Sequence, residues 1–319
     1  MTILVTGSAG HLGEALVRML KERGDDVRGL DIKPSPFTDI VGSIVDANVC
    51  HEAMVGVRAV LHTASLHKPH VATHSEQNFV DVNITGTLNL LQASVDHNVS
   101  AFVFTSTTSS FGSALTPKPG DEKAVWINES VVPVPKNIYG VTKTAAEDLC
   151  LLFWKLHRLP CIVLKVARFF PEEDDTAAIR DYCSTMNAQM NELLFRRADI
   201  YDMATAHLQA IKKAPALGFD KFIVSGSSPF SQNDLPALYT DAPAVVKSYF
   251  PDYENVYERK GWKMFLSMDR VYCNDRAREI LEWSPVHTFA KALENFGADD
   301  EATFGSELAR VVGKKGYHA

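Results

Sequence analysis

Tyr139 and Lys143 stand four residues apart, and on a helix that spacing places both side chains on one face, one turn apart. An ammonium beside a phenol favours the phenolate, so the pair would bring a pKa of roughly 10 down towards neutrality and exchange a proton there. Alone, such a pair is as readily a solvated helix face. Far upstream, Thr6-Gly7-Ser8-Ala9-Gly10-His11-Leu12-Gly13 spaces its three glycines with two residues between each. Gly7 permits a tight turn, Gly10 lets backbone approach a phosphate, and Gly13 lets a helix pack closely on a strand. Asp31 follows 24 positions beyond Gly7, where a carboxylate accepts from both hydroxyls of a ribose and repels a 2′-phosphate. Together they describe a cleft that holds a dinucleotide and moves a proton beside it. NAD(H) is favoured over NADP(H), with Arg28 and Lys33 keeping the phosphorylated cofactor as an alternative.

Such a cleft needs strands and helices in alternation, and the apolar pattern supplies them. Thr2 to Thr6 is a short apolar and β-branched run, after which Leu12, Leu16, Met19 and Leu20 recur at helical spacing. Strands are expected at Val27 to Asp31, Ala59 to Thr63, Ala101 to Thr105, Cys161 to Ala167 and Lys221 to Ser225, and helices at about 76–96, 138–157 and 202–212. Continuous apolar strands alternating with helices imply a parallel sheet covered on both faces. The expected fold is an α/β doubly wound sheet, a Rossmann domain over 1–170 to which 200–226 returns. A smaller C-terminal substrate-binding lobe takes 171–199 and 227–319, where the alternation breaks down.

Composition narrows the class. The 319 residues carry 32 basic and 39 acidic side chains, a formal charge of −7, with 46% hydrophobic and 22% charged residues. An acidic balance leaves no electrostatic footprint for nucleic acid or anionic lipid. Apolar runs such as Ile162-Val163-Leu164 are cut short by charge, here Lys165, far below the ~20 residues of a membrane span. Met1 to Gly7 run straight into the first strand without a leader pattern, so a cytoplasmic protein is expected. Five scattered cysteines, Cys50, Cys150, Cys161, Cys183 and Cys273, read as reduced thiols.

The chain resembles the extended short-chain dehydrogenase/reductases of the NAD-dependent epimerase/dehydratase group over residues 1 to about 212. Besides the glycine turn and Tyr139/Lys143, the resemblance rests on Val60-Leu61-His62-Thr63-Ala64-Ser65, on Asn83-Ile84-Thr85-Gly86-Thr87-Leu88-Asn89-Leu90-Leu91, and on Phe104-Thr105-Ser106-Thr107 ahead of Phe111-Gly112. It implies hydride transfer at a hydroxyl-bearing carbon, with Tyr139 as acid/base, Lys143 tuning it and holding ribose, and Thr107 placing the substrate oxygen. Ser106 is the nearest competitor of Thr107. Cofactor contacts are implied for Gly7, Ala9, Gly10, His11, Leu12, Gly13, Asp31, Ile32, Ser43, Ile44, Thr63, Ala64, Ser65, Asn83 and Thr105, along with Tyr139 and Lys143. Gly42-Ser43-Ile44 departs from the family's Gly-Asp-Ile at the adenine, with Asp46 left to cap the next helix.

The substrate is expected to be a sugar or sugar derivative, with or without a nucleotide. Thr108 and Ser109 are neutral where a dehydratase carries an acid and a base, so dehydration is disfavoured. Arg168 replaces the asparagine of nucleotide-sugar relatives, and Arg196 and Arg197 lie near but displaced from their later arginine. Arg168 therefore either receives an anion or pairs with Glu172 or Asp174. His67, with Thr107, Thr108 and Arg168, is a candidate for substrate contact, and His67, His70 and His74 read as pocket lining with no metal. Epimerisation and net oxidation or reduction stay balanced. An NADPH-dependent carbonyl reductase and a non-catalytic nucleotide-bound sensor are the alternatives. A homodimer is expected through helices 76–96 and 138–157, with Leu149, Leu152, Phe153 and Leu156 offering an apolar face.

Overall fold

Alternate residues of a strand face opposite ways, and here both ways lead into apolar packing. The computed structural model describes residues 2–299, 302 and 304–313. Its strands are β1 (Thr2–Thr6), β2 (Val27–Asp31), β3 (Ile40–Val41), β4 (Val57–His62), β5 (Ala101–Thr107), β6 (Val125–Ile127), β7 (Cys161–Val166), β8 (Phe219–Val224) and β9 (Arg270–Tyr272). Seven of them form one parallel sheet in the order β3-β2-β1-β4-β5-β7-β8. The short parallel pair β6 and β9, unforeseen in the sequence, stands apart from it. The winding reverses between β1 and β4, and an open α/β sheet takes its ligand outside the carboxyl ends of the strands at such a point.

The helices are α1 (His11–Glu22), α2 (Ala47–Met54), α3 (Glu76–Phe79), α4 (Gly86–Asp96), α5 (Ile138–His157), α6 (Ala177–Tyr182), α7 (Thr185–Glu192) and α8 (Ile200–Leu217). Ile3, Val5 and Val103 join the core under α1 and α8, whereas Leu4, Phe102 and Phe104 join the one under α2, α4 and α5. Asp46 caps α2 by accepting from the Asn48 amide at 2.9 Å, the role expected of it. Asn137 accepts from the Gly140 amide at 3.0 Å and so starts α5 two residues before Tyr139. Between α3 and α4 the helix continues as a π-helix over Val80–Thr85.

A third core joins Met190 and Leu194 to Leu238, Val246, Tyr257 and Met268, with Ala124, just ahead of β6, beside them. Part of the expected 227–319 piece belongs elsewhere. Ala277, Leu281, Trp283 and Val312 pack into the core beneath α1 and α8, because Trp283 finds a hydroxyl partner on α8, Thr205, at 2.9 Å. Among the described residues no helix is long and apolar enough to cross a membrane.

Two glycine substitutions separate packing from ligand space at the β1–α1 turn. A Cβ on Gly13 would lie 1.9 Å from the Gly7 carbonyl oxygen, whereas one on Gly10 meets only that oxygen, at 3.2 Å. Gly13→Ala is expected to cost about 1–3 kcal/mol through overpacking, seen as a lower melting temperature. Gly10→Ala should melt within roughly 0.5 kcal/mol of the parent yet bind NAD at least about tenfold more weakly by calorimetry.

Candidate active site

The glycine turn is shaped by backbone contact. Gly7 has φ +72°, and a Cβ there would lie 2.7 Å from the Ala64 nitrogen, so β1 and β4 touch at their carboxyl ends through a residue without a side chain. Thr63 donates to the Thr6 carbonyl at 2.7 Å, and Ala64 N–H donates to the Thr6 hydroxyl at 3.3 Å, which lays the 63–65 run beside the turn. A Cβ on Gly10, by contrast, would meet a single atom, the Gly7 carbonyl oxygen at 3.2 Å. Phosphate oxygens can approach there, at the positive end of α1, whose first residues His11 and Leu12 are buried.

Asp31 is fixed by the turn it serves. One carboxylate oxygen accepts from Ala9 N–H at 3.0 Å and the other from Lys33 N–H at 2.9 Å. Each oxygen retains acceptor capacity for a ribose hydroxyl, and Ile32 beside it is 65% exposed. Ser43 accepts from Val45 N–H at 3.2 Å, holding its turn. The Ile44 side chain is buried, and a Cβ on Gly86 would lie 2.6 Å from its tip. The residues present fit a dinucleotide, with Gly7 to Gly13 for the pyrophosphate and Asp31 for a ribose. When bound, NAD supplies the hydride acceptor, and NADH the donor.

At the end of β5, the Thr107 hydroxyl accepts from Ser109 N–H at 3.0 Å and lies close enough to the Tyr139 phenol to favour its ionised form. Burial pushes the Tyr139 phenol up to about 12, and Thr107 offsets only part of that. The expected downward shift is thus reversed: removal from water outweighs the lowering influence of Thr107. Lys143 is buried too. Burial brings it down to about 7, against the pull of Glu147 and Cys150, while Lys165 adds to the decrease. Its ammonium sits 4.1 Å from the centre of the Phe104 ring. A phenol protonated at neutral pH is arranged to donate to a carbonyl oxygen.

The other hydroxyls of this edge are committed elsewhere. Ser106 donates to Glu147 at 2.5 Å, which removes it as a competitor of Thr107. Thr108 donates to the Val166 carbonyl at 3.4 Å. Thr105 faces the α8 side, where its hydroxyl shares a hydrogen bond with the buried His207 at 2.8 Å. Strand alternation decides both Ser106 and Thr105. Asn83, in the π-helix, accepts from Leu66 N–H at 2.9 Å and donates to the Leu66 carbonyl at 2.9 Å and to Thr142 at 3.0 Å. It ties the loop after β4 to α5.

That loop carries the histidines as a run of rings. His67 stacks on Phe170 at 5.6 Å and meets His70 edge-on at 4.5 Å; His70 meets His74 at 5.0 Å. His11 meets the same Phe170 at 5.7 Å. Burial, then His70, Lys143 and His11, push His67 down to about 3, so it is a neutral ring beside the reacting centre. Among the described residues no three His, Cys, Asp or Glu converge as metal ligands. The arginines pair inward. Arg168 donates to Asp174 at 2.9 Å, Arg196 contacts Glu192 at 2.8 Å and Asp174 at 3.3 Å, and Arg197 contacts Glu192 at 2.7 Å. Although burial alone would raise it, Glu192 is held below its ordinary value by these arginines.

Sequence reasoning missed Glu147, Lys165, Ser110, His207 and Phe170. A signal existed for two of them: Lys165 is a charge inside an apolar strand, and Glu147 follows Lys143 by one helical turn.

Residues 3–224 match the NAD dependent epimerase/dehydratase family. The chain belongs to that family. It is an NAD-dependent enzyme of the short-chain dehydrogenase/reductase type. The chain is similar to a 3 beta-hydroxysteroid dehydrogenase/Delta 5→4-isomerase of Mycobacterium tuberculosis, 25% identical over 334 residues, covering 91% of this chain and 88% of the relative. Its fold is similar to that of a short-chain dehydrogenase/reductase superfamily protein from Agrobacterium tumefaciens with bound NAD (TM-score 0.67, 23% identity, 93% and 96% of the two chains). It is also similar to that of UDP-glucose 4-epimerase from Thermotoga maritima with UDP-glucose (TM-score 0.65, 21% identity, 92% and 96%).

Lys143 makes stability depend on pH in a predictable sense. Between about 7 and its ordinary 10.5, the unfolded chain keeps a proton that the folded chain has released, so stability climbs with pH across that window. In cofactor-free protein, Lys143→Met should therefore melt higher than the parent at about pH 6, and the advantage should shrink steadily as pH rises and vanish only near 10.5. An advantage independent of pH would show that the buried ammonium is not the cause.

Proposed function

We propose that the enzyme transfers hydride between NAD(H) and a hydroxyl-bearing carbon of a sugar-like substrate that carries no nucleoside diphosphate. The observation that carries this is the burial of Thr107, Tyr139 and Lys143 together at the end of β5 and the start of α5, with Thr107 close enough to the phenol to favour its ionised form. Thr107 orients the substrate oxygen, Tyr139 exchanges its proton, and Lys143 holds ribose and charge. The three inward-paired arginines support the absence of a diphosphate, because Asp174 and Glu192 already occupy them. Without that anchor a keto intermediate has no reason to be retained and turned over, so net oxidation or reduction is favoured over epimerisation. A second reading, a lipophilic cyclic alcohol or ketone, draws on the mycobacterial relative's name and on the Phe169, Phe170 and His67 rings near Lys143.

A panel of free sugars, sugar acids, nucleotide sugars and a 3β-hydroxysteroid, followed by nicotinamide absorbance and product stereochemistry, separates these readings. Net absorbance change on a free sugar is the expected result; turnover of a nucleotide sugar without it would favour epimerisation. On the responsive substrate, Tyr139→Phe should lower kcat by roughly 10²–10⁴-fold with NAD binding retained. Thr107→Val should slow the same step, and Lys143→Met should cost turnover and NAD affinity together. Asp31→Ala should weaken NAD and narrow its advantage over NADP by calorimetry.

A homodimer through α4 and α5 belongs to the same proposal. Phe153 is only 4% exposed and Leu149 packs on the same core, so those two serve the sheet rather than a partner. Leu152 and Leu156, 45% and 66% exposed, remain for it, together with Val141 and Leu88. The protein should sediment as a dimer at micromolar concentration, and Leu156→Glu should shift it towards monomer; a monomeric parent would remove the idea.

A further inference from the structure

Beneath the reacting residues lies a closed ring of polar contacts. Glu147, buried on α5 one turn below Lys143, accepts from Ser106 at 2.5 Å and from Lys165 at 2.5 Å through one oxygen, and from Lys221 at 3.0 Å through the other. Lys165 also donates to Ser110 at 2.8 Å, and Ser110 donates to the Thr107 carbonyl at 2.7 Å. The chain from Ser106 into Thr107 closes the circuit. Thr107, whose hydroxyl lies near enough to the Tyr139 phenol to favour its ionised form, is thus held through its neighbour on one side and its own carbonyl on the other.

We propose that Glu147 is the positioning residue of this site, closing the ring that fixes Thr107 and supplying the counter-charge for Lys143. The proposal rests on the reading of Thr107, Tyr139 and Lys143 as the reacting centre, and Glu147 acts through them without touching substrate. A buried carboxylate is costly unless paired and hydrogen-bonded. Lys165 and Lys221, with the Ser106 hydroxyl, meet that requirement and hold Glu147 below its ordinary value although burial alone would raise it. If only packing mattered, an apolar pair of similar volume would fill the space as well. A full charge beneath Lys143 does what an apolar residue cannot: it favours the ammonium against burial. Lys143 is faced by Glu147 and Cys150 from α5, by Lys165 from β7, and by His62 and His67 from the end of β4 and its loop. Of these, the strongest pull towards the charged form comes from Glu147.

The test uses the whole chain without cofactor, so it does not depend on the substrate. The Lys143 side-chain carbon resonance, assigned by its loss in Lys143→Met, is titrated in the parent, in Glu147→Gln and in Glu147→Gln/Lys165→Met. The Lys143 midpoint should fall by roughly one pH unit or more in the single variant and by less in the double one, which also loses the repulsion of Lys165. Amide exchange at Ser109, which donates to the Thr107 hydroxyl, should accelerate about tenfold or more while β1 amides stay protected. Should Glu147→Gln fail to fold with Lys165 unpaired, the double variant decides alone. An unmoved Lys143 midpoint in the variants that fold would overturn the proposal. Absence of turnover in the parent on every substrate tested would sink the proposed reaction and leave this result standing.

Discussion

Removal from water is the constraint on which this site depends. Tyr139, Lys143, Glu147 and Lys165 are all buried at one edge of the sheet, and burial is the largest influence on each of them. A group deprived of water must be neutral or paired. Tyr139 takes the first course and stays protonated. Glu147 and Lys165 take the second. Lys143 sits between, near neutrality, and its charge depends on its neighbours. A site built this way responds strongly to any new charge entering it, because little solvent remains to screen the interaction. The oxidised nicotinamide carries such a charge, and the reduced form does not.

The fold was legible because its rules are local. Apolar runs ending at Thr6, Asp31 and His62 become parallel strands, the three glycines open α1, and helix periodicity places α5. The pair β6 and β9 was not, because strands of three residues joined across more than a hundred positions leave no periodic trace. The lobe boundary was misplaced for a related reason: Ala277 and Trp283 pack on α8, and a long-range contact has no local pattern.

Within the site, residue types were readable and side-chain directions less so. Thr107, Tyr139, Lys143 and Asp31 stand where their spacing put them. The Thr105 hydroxyl turns to His207, and a shift of one position along β5 decides such an outcome; Ile44, in the turn between β3 and α2, is buried. The Tyr139 shift was misjudged because spacing reveals a neighbouring cation but not the depth of burial. Arg168 shows the same limit. Its pairing with Asp174 crosses a turn of six residues, and sequence left it balanced between an anion and a carboxylate.

The π-helix at Val80–Thr85 has a consequence for the whole helical run. A wider turn holds more than the usual 3.6 residues, so the segments on either side are out of phase with a single continuous α-helix. Phe79 enters the core before it and Leu90 and Leu91 after it, while Asn83 points to Leu66 and Thr142 within it. Shortening the run by one residue would restore uniform phase and swing everything on one side by roughly 100°. Either the core leucines or Asn83 would then face the wrong way. The irregular turn is a phase adjustment that lets one helix satisfy an apolar floor and a polar wall at once.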